Sequence, residues 1–305
     1  VTIDQEGGRV SRLRLIGNEP PNAQQLRDKG DLGLIRRHGA LTGKILRLFG
    51  FNLDLCPVLD ISYDDEADNS LKGRCYGRDP DEVITNAATF NKEMREQGIR
   101  SCGKHFPGYT HAVCDAHEEL PVVDRTREQW EADECAPFRA LLPDLDSVMV
   151  GHTHYPCFDP DSPRLPASLS HNVVTRTLRD QLGYDNGLVM TDDLDMGAIL
   201  NEYGFEDTIR MALHAGNDLV MICHRVEMVE GALRVIETMP AIETTDALER
   251  MHRFKKRLVP PSEFSEQAFR DIDDQIWQLR VDTLGEERAK ILSVEDGKRS
   301  PVETY

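Results

Sequence analysis

The sequence has little positive charge. It contains 36 Lys and Arg residues against 54 Asp and Glu residues, which gives a formal net charge of −18. A protein that binds nucleic acid or an anionic membrane surface needs a basic surface. The sequence also has no apolar run of about 20 residues, the length that a membrane-spanning helix requires. We therefore predict no nucleic-acid partner and no membrane partner.

Paired cysteine motifs are absent as well. The seven cysteines are odd in number, are scattered along the chain and include no Cys-x-x-Cys. This pattern is typical of free thiols in a reducing compartment and argues against a disulfide framework or a zinc knuckle. We therefore predict a cytoplasmic protein. Because the chain starts at Val1 inside an apolar segment, the lack of a visible signal peptide adds little to this prediction.

Strand-like and helix-like segments alternate along the chain. Six apolar strand patterns centre near residues 2, 55, 102, 150, 189 and 220, and amphipathic patterns follow most of them. The paired glycines at residues 7 and 8 predict a tight turn, and Gly50 ends a helix that begins near Leu32. Further helices are predicted from Asp79-Pro80 to Gln97, over about residues 127–142 and near residues 170–182. Such alternation predicts an α/β fold with a parallel sheet covered by helices. The pattern changes after Pro260-Pro261, so we divide the chain into a catalytic part, 1–258, and a C-terminal helical extension with a tail, 259–305.

Polar residues stand where several of these predicted strands end. Leu188, Val189 and Met190 form an apolar run that Thr191, Asp192 and Asp193 follow directly. Two other strands end on Lys104-His105 and on His152. Because catalytic groups of parallel α/β proteins lie at the carboxyl ends of strands, we expect a site there. An alternative is that Asp192 or Asp193 only caps the next helix, since Asp is a good N-cap.

The loop after Lys104-His105 carries Asp115 and His117, two residues apart. An aspartate beside a histidine can fix one imidazole tautomer and leave the other nitrogen for proton transfer. By itself this spacing is a weak signal, since Asp and His stand two apart by chance in many proteins.

Several motifs together are far more specific. DQEGGRV begins at residue 4, KHFPG at residue 104 and TDDLDM at residue 191, and the Asp-x-His loop lies between the last two. In this order they resemble glycoside hydrolase family 3, and most closely its β-N-acetylhexosaminidase branch, the single-domain enzymes of bacterial peptidoglycan recycling. Supporting pieces such as PVLDI at residue 57 and AGNDLVMI at residue 215 extend the likeness over roughly residues 1 to 225.

The resemblance implies a (β/α)8 TIM-type barrel and a retaining exo-β-N-acetylglucosaminidase that needs no cofactor or metal. Its substrates would be small amino-sugar oligosaccharides from peptidoglycan or chitin. Asp192 matches the nucleophile, His117 the acid/base and Asp115 the residue that orients His117. The residues that match sugar-binding positions are Asp4, Arg12, Arg74, Lys104 and His105. Strict strand alternation would turn only one of the last two towards a sugar.

The sequence departs from the family pattern in three places. Tyr109 and Thr110 follow KHFPG where the family usually has His-Gly, and Ala116 replaces a serine. The family also carries about one strand–helix unit before DQEGG. With only six visible strands, we expect the barrel to lack its first βα unit, and an exposed edge strand to lie near Val1 unless the C-terminal helices or another subunit cover it. We expect Asp193 to be structural, bonded to backbone or to a basic side chain.

Three alternatives stay open. His152-Thr153-His154 could bind a metal, with His105, His111 or Asp115 as further ligands of a metal-dependent barrel hydrolase. The enzyme could be a phosphorolytic β-N-acetylglucosaminidase, since a histidine acid/base repels phosphate less than a carboxylate does. Without its first strand, the chain could be an inactive sugar-binding remnant.

Overall fold

The computed structural model describes residues 1–66, 70–109, 119–162, 164–200 and 202–293. Asp115, His117 and the predicted tail beyond residue 293 lie outside these residues. The chain divides into two compact units. Unit 1 comprises Val1–Gly103, Pro143–Leu145 and Leu258–Tyr305, and unit 2 comprises Lys104–Leu142 and Asp146–Arg257. The predicted division at residue 258 stays a prediction.

The predicted alternation of strands and helices is confirmed, which makes the fold mixed α/β. The strands are β1 (Thr2–Ile3), β2 (Gln5–Gly7), β3 (Val10–Ser11), β4 (Leu53–Asp54), β5 (Arg100–Phe106), β6 (Ser147–Val150), β7 (Leu188–Asp193) and β8 (Leu219–Met221). The helices are α1 (Ala23–Lys29), α2 (Leu32–Leu48), α3 (Pro80–Glu96), α4 (Arg127–Ala132), α5 (Cys135–Leu141), α6 (Gly197–Leu200), α7 (Phe205–Ala215), α8 (Val229–Thr238), α9 (Ala241–Lys256), α10 (Glu266–Leu284) and α11 (Glu286–Ala289). No helix in the described ranges combines the length and the apolar composition of a membrane span.

In unit 1 the strands β1, β4 and the first part of β5 are parallel neighbours. Thr2 pairs with Leu53, and Leu53 pairs in turn with Arg100. The DQEGGRV motif then folds back as the antiparallel hairpin β2–β3. Its turn uses Gly7 and Gly8 at φ of 107° and 56°, a region that residues with a Cβ rarely adopt. This confirms the tight glycine turn that the sequence predicts.

The helices α2 and α3 pack closely against each other in unit 1. Gly39 and Gly43 lie on the side of α2 that faces α3, where a Cβ would come within 2.5 Å of the Phe90 carbonyl oxygen and 2.8 Å of that of Met94. The two backbones therefore approach each other at a distance that only glycine permits. Asp79 caps α3 by accepting from the Glu82 amide, with Pro80 at the first position, as the sequence predicts.

The long C-terminal helix α10 is anchored to the N-terminal part of unit 1. Arg280 is 2% exposed and donates to Glu19, which is also almost fully buried. The Arg280 guanidinium also donates to the carbonyl oxygens of Glu19 and Ala289, at 3.1 and 2.8 Å. Two turns earlier on the same face of α10, Asp273 accepts from the neighbouring Asn18. These contacts join segments more than 250 residues apart.

In unit 2 the strands β6, β7 and β8 are parallel and in sequence order. Val150 pairs with Thr191, and Met190 pairs with Leu219. The end of β5 belongs to this unit, where the Gly151 amide donates to the Phe106 carbonyl oxygen. A core of aliphatic residues packs behind β8, formed by Leu169, Leu194, Ile199, Ile209, Ala212, Ala232 and Val235.

One helix prediction in unit 2 needs correction, and a second predicted helix is confirmed with an unusual hydrogen-bond pattern. The single helix expected over residues 127–142 is two helices, α4 and α5, because Asp133 at φ −107° and ψ −88° leaves the helical region. The helix expected near residues 170–182 has π-type hydrogen bonding over Asn172–Gln181. There the Thr177 hydroxyl donates to the Asn172 carbonyl oxygen, a local interaction that competes with the regular helical pattern.

The buried pair of Arg280 and Glu19 yields the first testable expectation. Arg280→Met removes the 2.7 Å partner of the buried Glu19 carboxylate and leaves it with Arg14 at 3.7 Å. Because a buried charge that loses its hydrogen-bonded partner is costly, the free energy of unfolding should fall by about 3 kcal/mol. Arg270→Met removes an exposed pair with Glu266 on the same helix and should change it by less than about 0.5 kcal/mol. Urea denaturation of both variants measures the difference. Equal effects would show that the buried pair has no special role.

Candidate active site

The carboxylate of Asp192 stands at the carboxyl end of β7 in unit 2. Its side chain is half-buried, and its Oδ1 accepts a hydrogen bond of 2.8 Å from the backbone N–H of Asp193. Asp192 comes after the last of the buried residues Leu188 to Thr191, so the strand fixes its position. One carboxylate oxygen is therefore oriented by backbone, which suits a group that must present the other oxygen to a ligand.

The neighbouring Asp193 is held from three sides. Its Oδ1 accepts from the backbone N–H groups of Asp195 and Cys223, both at 3.1 Å. Its Oδ2 lies 3.1 Å from Nε2 of His224, and its carbonyl oxygen lies 2.9 Å from Nε2 of His152. The expected bonds of Asp193 to backbone are confirmed, and His224 is a basic side chain in contact with it, while its structural role stays a prediction.

Burial sets the protonation behaviour of Asp193. Desolvation raises the pKa of this carboxyl to about 6. The N–H groups of Asp195 and Cys223 act in the opposite direction, while the charges of Asp195 and Asp192 add to the increase. Asp193 therefore titrates close to neutrality.

The end of β5 contributes Lys104 and His105 to the same unit. Both side chains are buried, at 1% and 9% exposed, and the peptide bond between them is cis. The His105 ring lies 6.2 Å from that of Tyr109. Burial of an amine and an imidazole at a strand end fits a polar site better than ordinary core packing, because such groups are costly to bury unless they are used.

The segment after β5 is firmly held on both sides of residues 110–118, the range with the predicted Asp115–His117 pair. Before it, Trp130 Nε1 donates to the Pro107 carbonyl oxygen at 2.7 Å and the Tyr155 hydroxyl donates to that of Gly108 at 2.8 Å. After it, the Val123 N–H donates to the His154 carbonyl oxygen at 2.8 Å. The roles predicted for Asp115 and His117 remain predictions.

Unit 1 has its own cluster of charged residues behind the hairpin. Arg74 donates from Nε and Nη2 to the two carboxylate oxygens of Glu6, at 2.8 and 2.7 Å. Burial alone would lower the pKa of Arg74, but the charge of Glu6, with Asp4 and Asp60 nearby, raises it overall. The guanidinium is therefore a permanent cation in a fixed orientation.

Arg12 lies beside this hairpin at the start of a short 3-10 helix, Arg12–Leu15. The Gln5 side chain accepts from the backbone N–H of Leu13, which ties this helix to β2. The Nη1 group of Arg12 is buried and has no hydrogen-bond partner among the described residues. A buried donor without a partner is unfavourable unless a ligand or water supplies an acceptor.

The structure assigns partners that we did not predict. Glu6 lies inside the DQEGGRV motif, yet nothing local connects it to Arg74, 68 residues away. His224 follows β8, and the same strand-end argument that singled out Asp192 would have found it. In unit 1 the predicted residues Asp4 and Arg74 are electrostatic neighbours. In unit 2 the predicted Asp192 accepts from the N–H of Asp193, which in turn contacts His152 and His224.

The metal-binding alternative loses its support at the two histidines that suggested it. The Nδ1 atom of His152 lies 2.8 Å from the Ser168 hydroxyl, and its Nε2 bonds to Asp193. His154 uses Nδ1 on the Leu165 carbonyl oxygen. Since both ring nitrogens of His152 are engaged with protein groups, this residue is not arranged as a metal ligand.

Carboxylates and basic groups at the strand ends of an α/β protein are typical of enzymes, and comparison with known proteins identifies the family. The chain belongs to glycoside hydrolase family 3, since residues 1–254 match the family's N-terminal domain. It is 32% identical over 264 residues to a β-hexosaminidase of Actinobacillus pleuropneumoniae, which covers 84% of this chain and 73% of the relative.

Solved structures agree with this family. The chain resembles a family 3 β-N-acetylglucosaminidase from a Paenibacillus strain with a TM-score of 0.81 and 30% identity. It also resembles the β-N-acetylglucosaminidase of Thermotoga maritima, with a TM-score of 0.72 and 27% identity. The matches cover 92% and 85% of this chain, but only 56% and 55% of those longer proteins.

The raised pKa of Asp193 gives a test by stability. Between about pH 4 and pH 6 the folded protein binds more protons than the unfolded chain, so the unfolding free energy falls as pH rises. Because asparagine does not ionise, Asp193→Asn does not lose stability in this way as pH rises. From pH 4 to pH 7, the stability of Asp193→Asn relative to the parent protein should therefore rise by about 2 kcal/mol.

Urea denaturation at both pH values measures this change. Asp180→Asn, an exposed aspartate in the same unit, is the matched control and should show no such change. A difference between Asp193→Asn and the parent that stays constant with pH would contradict a raised pKa.

Proposed function

We propose that this protein is a retaining exo-β-N-acetylglucosaminidase. Its substrates would be small β-linked oligosaccharides of N-acetylglucosamine derived from peptidoglycan or chitin. The observation that carries the proposal is the oriented carboxylate of Asp192 at the end of β7, in a chain whose relatives are β-hexosaminidases. The (β/α)8 barrel and a cytoplasmic location belong to the same proposal. The location rests on the cysteine pattern.

The geometry of Asp192 supports its role as nucleophile. A carboxylate that attacks a sugar must be ionised and fixed in direction. The Asp193 N–H donates to Oδ1 and so holds the plane of the carboxylate. Oδ2 would then attack the anomeric carbon and form the glycosyl-enzyme bond as the aglycone oxygen leaves.

His117 would supply the proton that this step requires. It would protonate the glycosidic oxygen as the bond to the anomeric carbon breaks, and Asp115 would stabilise the imidazolium beforehand. In the second step the neutral imidazole would accept a proton from water while the water oxygen attacks the same carbon. That attack releases Asp192 and gives a product with retained configuration.

Sugar binding is proposed for the residues that match the family's sugar-binding positions, and the contacts of each support it separately. Glu6 fixes one edge of the Arg74 guanidinium, so the cation is already oriented for a hydroxyl or carbonyl acceptor. The buried Arg12 Nη1 would gain an acceptor on binding. Asp4 would accept from hydroxyl groups, and Lys104 and His105 would complete the set.

Substrate preference tests this function. The 4-nitrophenyl β-N-acetylglucosaminide should be cleaved, and the corresponding β-glucoside should be cleaved at least about tenfold more slowly in kcat/KM, because the acetamido contacts are lost. The rate of cleavage is measured from the release of nitrophenolate, with and without inorganic phosphate. Equal rates on both glycosides would refute the N-acetyl preference. A sugar 1-phosphate product would instead favour phosphorolysis.

Leaving-group dependence tests the two catalytic roles. Asp192→Ala should abolish turnover, while exposed Asp180→Ala should leave it unchanged. His117→Ala should retain slow activity on a good leaving group such as 2,4-dinitrophenolate, which needs little protonation, and lose more on a poor one. The comparison is of kcat/KM across a series of aryl glycosides. An unchanged rate of His117→Ala on the poorest leaving group would remove His117 from the mechanism.

A further inference from the structure

The loop that follows β8 is tied to the end of β7 by two carboxylates. Asp193 Oδ1 accepts from the Cys223 N–H at 3.1 Å. Asp195 Oδ2 accepts from the N–H groups of His224 and Arg225, at 3.1 and 2.9 Å. The loop backbone is therefore anchored independently of the His224 side chain.

The His224 side chain makes a separate contact. Its Nε2 lies 3.1 Å from Asp193 Oδ2, and the ring is 20% exposed, whereas the Asp193 carboxylate is 8% exposed. Three carboxylates, those of Asp192, Asp193 and Asp195, stand within four residues of sequence here. A donor or cation on Asp193 offsets their mutual repulsion, which would otherwise displace the more mobile of them.

Asp193 connects this contact to the proposed nucleophile. Its own N–H is the donor to Asp192 Oδ1, at 2.8 Å. A shift of the Asp193 side chain or peptide would therefore alter the direction of the Asp192 carboxylate. His152 fixes the carbonyl end of Asp193, which leaves the carboxylate as the end that His224 controls.

We infer that His224 is a positioning residue for the nucleophile, acting on Asp192 through Asp193. The inference rests on the proposed function, because it assigns Asp192 the role of nucleophile. A purely structural role of His224 is not expected, because the loop keeps its three backbone hydrogen bonds when the His224 side chain is removed. Loss of the ring should therefore affect catalysis much more than stability.

Three variants test this inference. His224→Ala removes the contact, and His224→Gln keeps a donor of similar reach. His214→Ala is the matched control, because His214 on α7 also contacts a carboxylate, that of Glu243 at 2.6 Å, but on an exposed surface. Kinetics on the 4-nitrophenyl N-acetylglucosaminide and urea denaturation are measured for each variant.

We expect His224→Ala to lower kcat about tenfold or more, with KM nearly unchanged, because a misdirected nucleophile slows the chemical step without weakening sugar binding. His224→Gln should recover most of the rate, and His214→Ala should behave like the parent enzyme. Rates of His224→Ala equal to those of His214→Ala would overturn the inference. The inference would also fail if His224→Ala lost activity and stability to the same extent and His224→Gln did not restore the activity.

A readout without substrate keeps this inference distinct from the proposed function. The carboxyl carbon of Asp192, labelled with 13C and identified by its disappearance in Asp192→Ala, should shift its NMR signal in His224→Ala but not in His214→Ala. An unchanged signal would overturn the inference even in an active enzyme. A shifted signal would support it even if the parent protein cleaved none of the glycosides, in which case only the proposed function would fail.

Discussion

The buried carboxylate of Asp193 is the constraint on which the site of unit 2 depends. A buried charge is tolerated only when its hydrogen-bonding capacity is used. Oδ1 of Asp193 satisfies that condition with donors from its own turn and from the loop after β8, so the ends of β7 and β8 are fixed to each other. Oδ2 accepts no hydrogen bond from the described residues, and its nearby basic group is His224 Nε2, at 3.1 Å. The N–H of Asp193 donates to Asp192, so the contacts that hold the buried Asp193 also orient the Asp192 carboxylate.

In unit 1, arginines form ion pairs with buried carboxylates. Arg74 is oriented by both oxygens of Glu6, and Arg280 is held by Glu19 and three carbonyl oxygens. The guanidinium group suits both places because its planar set of donors can satisfy several acceptors at once. The Glu6–Arg74 pair fixes the orientation of a cation, whereas the Glu19–Arg280 pair fastens the C-terminal helix to the segment after the hairpin.

Local patterns predicted the elements where they were strong. The helices α2 and α3 begin and end near the expected residues, because Asp31, Asp79 and the glycines after the helices are clear capping signals. The helix predicted over residues 127–142 was wrong at Asp133, where the apolar pattern continues although the backbone turns. The spacing of apolar residues predicts which face of a helix is buried. It does not predict a break in the helix when the same face stays buried on both sides of the break.

The sequence by itself determined the family, the order of strands and helices and the strand-end position of Asp192, since these depend on ordered motifs and apolar runs. Only the tertiary structure decided which residues hold the charged side chains of the site in place. Glu6 finds Arg74 across 68 positions, and Asp193 finds Cys223 across 30. Such partners are set by which strands lie side by side and by the demand that each buried charge be satisfied. No local pattern in the sequence records that demand.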